Sequence, residues 1–195
     1  MSDQSSNRDK PQCHVGFKEQ NKSLLRALQV SYGIVVQYRV LFVCRNNVCR
    51  SVLAEAVMRR MLAETGLADR VELSSAATHG VHVGAQPDSL VLRAAEKRGY
   101  PLYGTYSRKI GWHDMEYFDR ILAMDRANLD HLRRWAHEDR HNRIALLMQY
   151  ATHHFERDVP DPYLSLGRGF DEVIDMIEDA CRGLIDDLGQ NGGAR

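Results

Sequence analysis

The sequence predicts one α/β domain built on a four-stranded, doubly wound parallel sheet with helices on both faces. Three observations carry that prediction. From Tyr38 onward, short apolar runs rich in β-formers alternate with stretches of helical periodicity. The strongest run is followed at once by a turn-rich loop and a helix, as in strand–loop–helix units of such sheets. The last stretch, from Phe170, is a long amphipathic helix. At 195 residues the chain has ample length for one domain with a proper core.

Residues 1–36 read as an N-terminal extension, disordered or partly helical, and 37–190 as the folded domain. Met1 to Gln12 is polar with almost nothing to bury, while Lys22 to Val30 offers a short helix through Leu24, Leu25 and Leu28. Tyr38 to Val43 is mostly apolar, as a buried strand requires. Ser51 to Glu64 repeats Leu53, Val57, Met58, Met61 and Leu62 at helical spacing, with Gly66 as the stop. Val71 to Ala77 is a second strand. Ser89 to Arg98 is a helix with Leu90, Val91, Ala94 and Ala95 inward, ended by Gly99-Tyr100-Pro101. Tyr117 to Met124 and Arg143 to Met148 are further strands, separated by a helix over Asn128 to His137. The final helix carries the stripe Phe170, Val173, Ile174, Ile177, Cys181, Leu184, Ile185 and Leu188.

Composition narrows the function. Lys plus Arg equals Asp plus Glu at 26 each, so there is no basic excess of the kind nucleic-acid binders show. Ile34 to Val43 is too short for a membrane span and is broken by Gln37 and Arg39. No apolar stretch follows a basic start, so a secretory leader is not expected. Four cysteines, Cys13, Cys44, Cys49 and Cys181, fit thiols in a reducing cytoplasm better than a disulfide framework. His153-His154 and Cys13-His14 lack zinc-ligand spacing, so neither metal nor cofactor is expected.

The informative segment is Cys44-Arg45-Asn46-Asn47-Val48-Cys49-Arg50-Ser51, at the carboxyl end of the first strand. Ligands of parallel sheets bind at that end, where strand order reverses. A cysteine attacks as thiolate, and at a pKa near ~8.5 it is mostly protonated at neutral pH. A loop that opens a helix supplies unpaired N–H groups and positive potential to the sulfur. The same N–H groups hold phosphate oxygens, so residues 45–51 form the expected phosphate cradle. Arg50 can close over the loop and pair bidentately with phosphate, and Ser51 can donate its hydroxyl to the sulfur.

These residues resemble the low-molecular-weight protein tyrosine phosphatases, bacterial type. The match runs through Val40-Leu41-Phe42-Val43-Cys44, Asn47, Cys49-Arg50-Ser51 and Ala54-Glu55. It continues in Ser75-Ala76-Ala77-Thr78, in Ala123-Met124-Asp125 with Asn128-Leu129, and in Val159-Pro160-Asp161-Pro162-Tyr163 before the last helix. It covers residues 38 to 188, in the expected order. The resemblance implies that Cys44 forms a phosphocysteine, and that Asp161 first protonates the leaving oxygen and then activates water. It makes Asn47, Ser51 and Ser75 supports of the loop, Cys49 a redox partner of Cys44, and Tyr163 with Arg45 the wall beside the substrate. Its bacterial members imply a phosphotyrosine protein as partner, such as a tyrosine kinase of exopolysaccharide export. They imply nothing about oligomeric state.

Several positions depart from the family. Asn46 and Ala77 replace glycines, Val52 replaces a proline, and Thr105 stands where some relatives have a supporting histidine. None removes a catalytic group. Arsenate reductase is a poor alternative, since Gly99 to Phe118 holds no relay cysteine. Phosphoarginine hydrolysis and a non-catalytic phosphate-binding module remain open. Cys181 reads as a core thiol, and the pair Trp112-His113 either lines the rim or packs.

Overall fold

The computed structural model describes residues 36–163 and 169–191; the expectations for residues 1–35, with Cys13 and the helix at 22–30, lie outside them. β1 (Tyr38–Cys44) leads into α1 (Arg50–Thr65), followed by β2 (Val71–Ala77), α2 (Ser89–Lys97), α3 (Trp112–Tyr117), β3 (Arg120–Ala123), α4 (Arg126–Trp135), β4 (Ile144–Leu146) and α5 (Phe170–Asn191). All four strands are parallel, in the order β2-β1-β3-β4. Among the described residues, no helix is long and apolar enough to cross a membrane.

Period-two alternation in β1 feeds two cores. Val40, Phe42 and Cys44 face a layer with Leu53, Val57, Val91, Ile174 and Ile177 from α1, α2 and α5. Leu41 and Val43 face Met115 of α3, Phe118 just beyond it and Leu132 of α4. Helices therefore cover both faces, a doubly wound α/β fold. Because Cys44 continues the first set, its side chain emerges on the α1 side.

Three local expectations change. The strand expected from Tyr117 begins at Arg120, because Trp112–Tyr117 forms α3, held at its start by Gly111 N–H donating to Asp114 Oδ2 at 2.8 Å. The strand expected over 143–148 shrinks to β4, and Leu147–Tyr150 closes into a 3₁₀ turn. Leu90, expected inward, is 45% exposed, while Val91 and Ala95 are fully buried. Cys181 is fully buried among the α5 stripe, as a packing residue.

Candidate active site

The carboxyl ends of β1, β2 and β3 meet where strand order reverses about β1. From β1 comes the loop 44–49. The sequence rarely lets a non-glycine residue take positive φ, yet Asn47 sits at φ 54°, the only such residue among those described. Its side chain explains the tolerance. Asn47 Oδ1 accepts from Arg108 N–H at 3.0 Å, and this fixes the amide so that Nδ2 donates to Ser51 Oγ at 2.9 Å. With its oxygen accepting there, the Ser51 hydroxyl is free to donate to Cys44 Sγ, 3.0 Å away. Asn47 N–H points at the same sulfur at 3.2 Å.

The loop carbonyls are drawn outward. Thr78 N–H donates to Cys44 O, His79 N–H to Arg45 O, Asp88 N–H to Val48 O and Leu53 N–H to Cys49 O. Ser107 Oγ donates to Asn46 O at 2.8 Å. Planar trans peptides then turn the N–H groups inward, and among the described residues those of 45–49 donate to no backbone carbonyl. α1 also starts without a side-chain cap at Cys49, whereas α2 is capped by Asp88 and α4 by Asp125. A buried, uncapped helix start beside a ring of free N–H groups is a site built for an anion.

Arg50, itself buried, is fixed from the far side. Its Nη1 donates to Asp125 Oδ2 at 2.6 Å and to the Val159 carbonyl at 3.0 Å. Nη2 lies 3.7 Å from Asp161 Oδ2, an ion pair without a hydrogen bond. That leaves the Nε and Nη2 donors as a fork for two oxygens. Burial opposes the guanidinium charge, but Cys44 and Asp125 outweigh it and raise Arg50 above its ordinary value.

Asp161 reaches the site because its loop is tied down. Val159 N–H donates to Met124 O at 2.7 Å, and Asp158 accepts from both the N–H and the Nε of Arg126. Asp161 Oδ1 accepts from Tyr163 N–H at 3.1 Å. Arg45, Arg50, His79, Asp125, Asp158 and Asp161 share a cleft of about 450 Å³. Tyr163 packs edge-on against Phe170, ring centroids 5.4 Å apart. Burial and a hydrogen bond to Asp88 push its phenol up, so it stays neutral.

Of the expected supports, Asn47 and Ser51 join the sulfur directly. Ser75 is buried on β2 opposite Phe42, and among the described residues no side-chain hydrogen bond joins it to the loop. Cys44, Cys49 and Cys181 are free thiols; burial first, then the charge of Cys44, pushes the Cys49 thiol up. Sequence reasoning missed Asp125, Ser107 and Arg108 as site residues. Asp125 had a signal: a carboxylate at the sheet end that holds the loop, three residues before Asn128, as an N-cap would be.

An anion cradle, a sulfur, a fixed guanidinium and a carboxylate on a separate loop are the parts of a phosphate-ester site. The family model for low molecular weight phosphotyrosine protein phosphatases matches residues 39–194. The chain belongs to this family. A low molecular weight protein-tyrosine-phosphatase of Streptomyces coelicolor is 38% identical over 152 residues, 76% of this chain and 92% of the relative. YfkJ of Bacillus subtilis, named likewise, is 35% identical over 146 residues, 75% and 92% of the two chains; its crystal structure aligns with TM-score 0.75 over 80% of this chain and 96% of its own. A protein tyrosine phosphatase structure from Entamoeba histolytica aligns with TM-score 0.76 at 36% identity, covering 80% and 99%. As a low molecular weight phosphatase, the protein is a phosphoric monoester hydrolase.

Proposed function

We propose that this phosphatase hydrolyses phosphotyrosine in proteins through a phosphocysteine intermediate. The observation that carries the reading is the convergence on Cys44 Sγ of the Ser51 hydroxyl and Asn47 N–H, inside a loop whose other N–H groups are open. The Cys44 thiolate attacks phosphorus in line. As the S–P bond forms and the ester P–O bond breaks, Asp161 gives its proton to the leaving phenolic oxygen. Asp161, now a carboxylate, then takes a proton from the water that attacks phosphorus. Inorganic phosphate leaves, and the sulfur departs as thiolate, supported by Ser51. Throughout, the Nε/Nη2 fork of Arg50 follows the charge on the equatorial oxygens.

Phosphotyrosine is favoured over phosphoarginine by what surrounds the mouth. Asp125 and Asp158 are already committed to Arg50 and Arg126, so little acid is left over to receive a guanidinium. Tyr163, two residues beyond Asp161 and edge-on to Phe170, is an aromatic partner for an aryl ring instead. A module that only bound phosphate would need neither Cys44 nor Asp161. A phosphorylated tyrosine kinase of exopolysaccharide export is a partner of suitable chemistry.

The test is release of phosphate from para-nitrophenyl phosphate and from phosphotyrosine and phosphoarginine peptides. Cys44→Ser abolishes turnover. Asp161→Asn lowers kcat by about 10²–10⁴, most for the poorest leaving group. An intact protein that binds vanadate yet releases no phosphate would show a binding module, and faster turnover of phosphoarginine would reverse the substrate assignment.

A further inference from the structure

A row of rings leads away from the catalytic cleft. It starts at His79, which lines the cleft, and passes to His131 at a centroid distance of 5.1 Å. His131 stacks on Trp135 at 5.9 Å, and Trp135 on Trp112 at 5.9 Å with planes only 12° apart. His131 and Trp135 stand one turn apart on α4, beyond Ala127 and Asn128, which line the cleft themselves. The row is thus continuous with the place where a phosphorylated side chain must enter. It reaches an open ring: Trp112 is 60% exposed, with Trp135 behind it and His137 tilted beside it at 6.1 Å.

Cations flank the row. Lys109 lies over the Trp135 ring, 5.5 Å from its centroid. Gly80 makes room for it, since a Cβ there would come within 3.2 Å of the Lys109 stem. Arg134 follows on α4, and Arg45 stands at the cleft mouth. Among the described residues, none of Arg45, Lys109 and Arg134 has an ion-pair partner. In a chain whose formal charge sums to zero, three cations with no ion pair among the described residues, all beside one aromatic row, are a local bias. Burial, then His79, Arg134 and Lys109, hold His131 below its ordinary value, so its ring stays an uncharged stacking surface between the neighbouring cations.

We propose that this row docks the stretch of the phosphoprotein substrate next to the phosphorylated residue, and that it selects a stretch carrying carboxylates and an aromatic side chain. The inference rests on the phosphatase reading and adds the sequence context of its substrate. Rings offer an aromatic side chain stacked or edge-on contact, and the bordering cations meet carboxylates. From Asn128 to Trp135 the helix advances by roughly 10 Å, about the length of three extended residues. The selected side chains therefore lie within a few positions of the phosphotyrosine.

Two phosphotyrosine peptides of equal length separate the possibilities, one with Asp, Glu and Phe beside the phosphotyrosine and one with Ser and Ala there. Para-nitrophenyl phosphate serves as the small substrate. The full chain should show a KM about tenfold lower for the acidic aromatic peptide at similar kcat, and that advantage should fade with added salt. Trp112→Ala and Arg134→Glu should each remove most of the advantage while para-nitrophenyl phosphate is turned over as before. Arg134 is exposed, so its reversal probes the surface without disturbing the core. Equal KM values in the wild type, or an advantage that survives both variants, overturn the proposal. So does a dimer at assay concentration that Trp112→Ala dissolves, which would mean that a second copy covers the row. Loss of turnover for all three substrates in the wild type would instead strike the phosphatase reading beneath it.

Discussion

At the scale of single residues, the site turns on Asn47. Its backbone occupies the left-handed region, its N–H faces the sulfur, and its amide bridges Ser51 and Arg108 N–H. An alanine there must hold positive φ without help and leaves Arg108 N–H without its acceptor. The two costs, about 1–2 kcal/mol for the backbone and about 1–3 kcal/mol for the orphaned donor, point to a loss of roughly 2–5 kcal/mol. Glycine removes the backbone cost alone. Urea unfolding should therefore rank wild type above Asn47→Gly, and Asn47→Gly above Asn47→Ala, while both variants lose kcat because Ser51 is no longer oriented. Equal stability of the two variants would show that the left-handed backbone stores no strain. The family resemblance had already marked this residue as a support of the loop. Its bond to Arg108 was not visible, because that partner is 61 positions away and contributes only its backbone.

At the scale of elements, the loop that carries Asp161 is held at both ends. Its far end is pinned by Val159 and Asp158 to β3 and α4. Its near end docks on α5. Tyr150 carbonyl lies so close to Gly183 that a Cβ there would fall 1.9 Å from it, so this helix position must be glycine. One turn earlier, buried Asp179 accepts from the N–H groups of Thr152, His153 and His154, from the Thr152 hydroxyl and from both imidazoles. Burial alone would raise the carboxyl, but the hydrogen bonds from His153 and His154 overcome it and hold Asp179 well below the usual carboxylate range. Its folded-state pKa is thus below its unfolded value of about 3.9, so its contribution is complete above that pH and fades as pH falls below it. Asp179→Asn should cost about 2–3 kcal/mol near neutrality, and the gap to wild type should narrow as pH drops below about 4. Unfolding titrations at several pH values check this; a gap that stays constant into acid would remove the linkage. The α5 stripe was plain from periodicity, but an Asp on a buried face reads in sequence only as an interruption. What satisfies it lies on another segment.

At the scale of the whole molecule, the alternation of strands and helices made the sheet legible, and the loop after β1 pointed to the end of the sheet where the cleft opens. What stayed hidden was the wiring between elements. Asp125 joins the start of α4 to Arg50, and Arg50 joins both to the Val159 carbonyl, so three segments distant in sequence meet on one guanidinium. Such a bridge has no periodicity, because it depends on where strand ends are brought together. It has a thermodynamic consequence. An oxyanion in the cradle binds only the folded state, since the inward N–H groups and the fixed fork exist only there. Vanadate at 100 times its dissociation constant should then add about 2.7 kcal/mol to folding stability. For a domain of this size that corresponds to a rise in Tm of roughly 5–10 °C. Arg50→Met should abolish the rise, because it removes the fork and also leaves Asp125 and the Val159 carbonyl without their shared donor. Cys44→Ser should keep a smaller rise with phosphate, since the cradle survives the loss of the sulfur. Thermal melts with and without each oxyanion separate these cases. An unchanged Tm for wild type at saturating vanadate would mean that the N–H ring around Cys44 does not hold the anion.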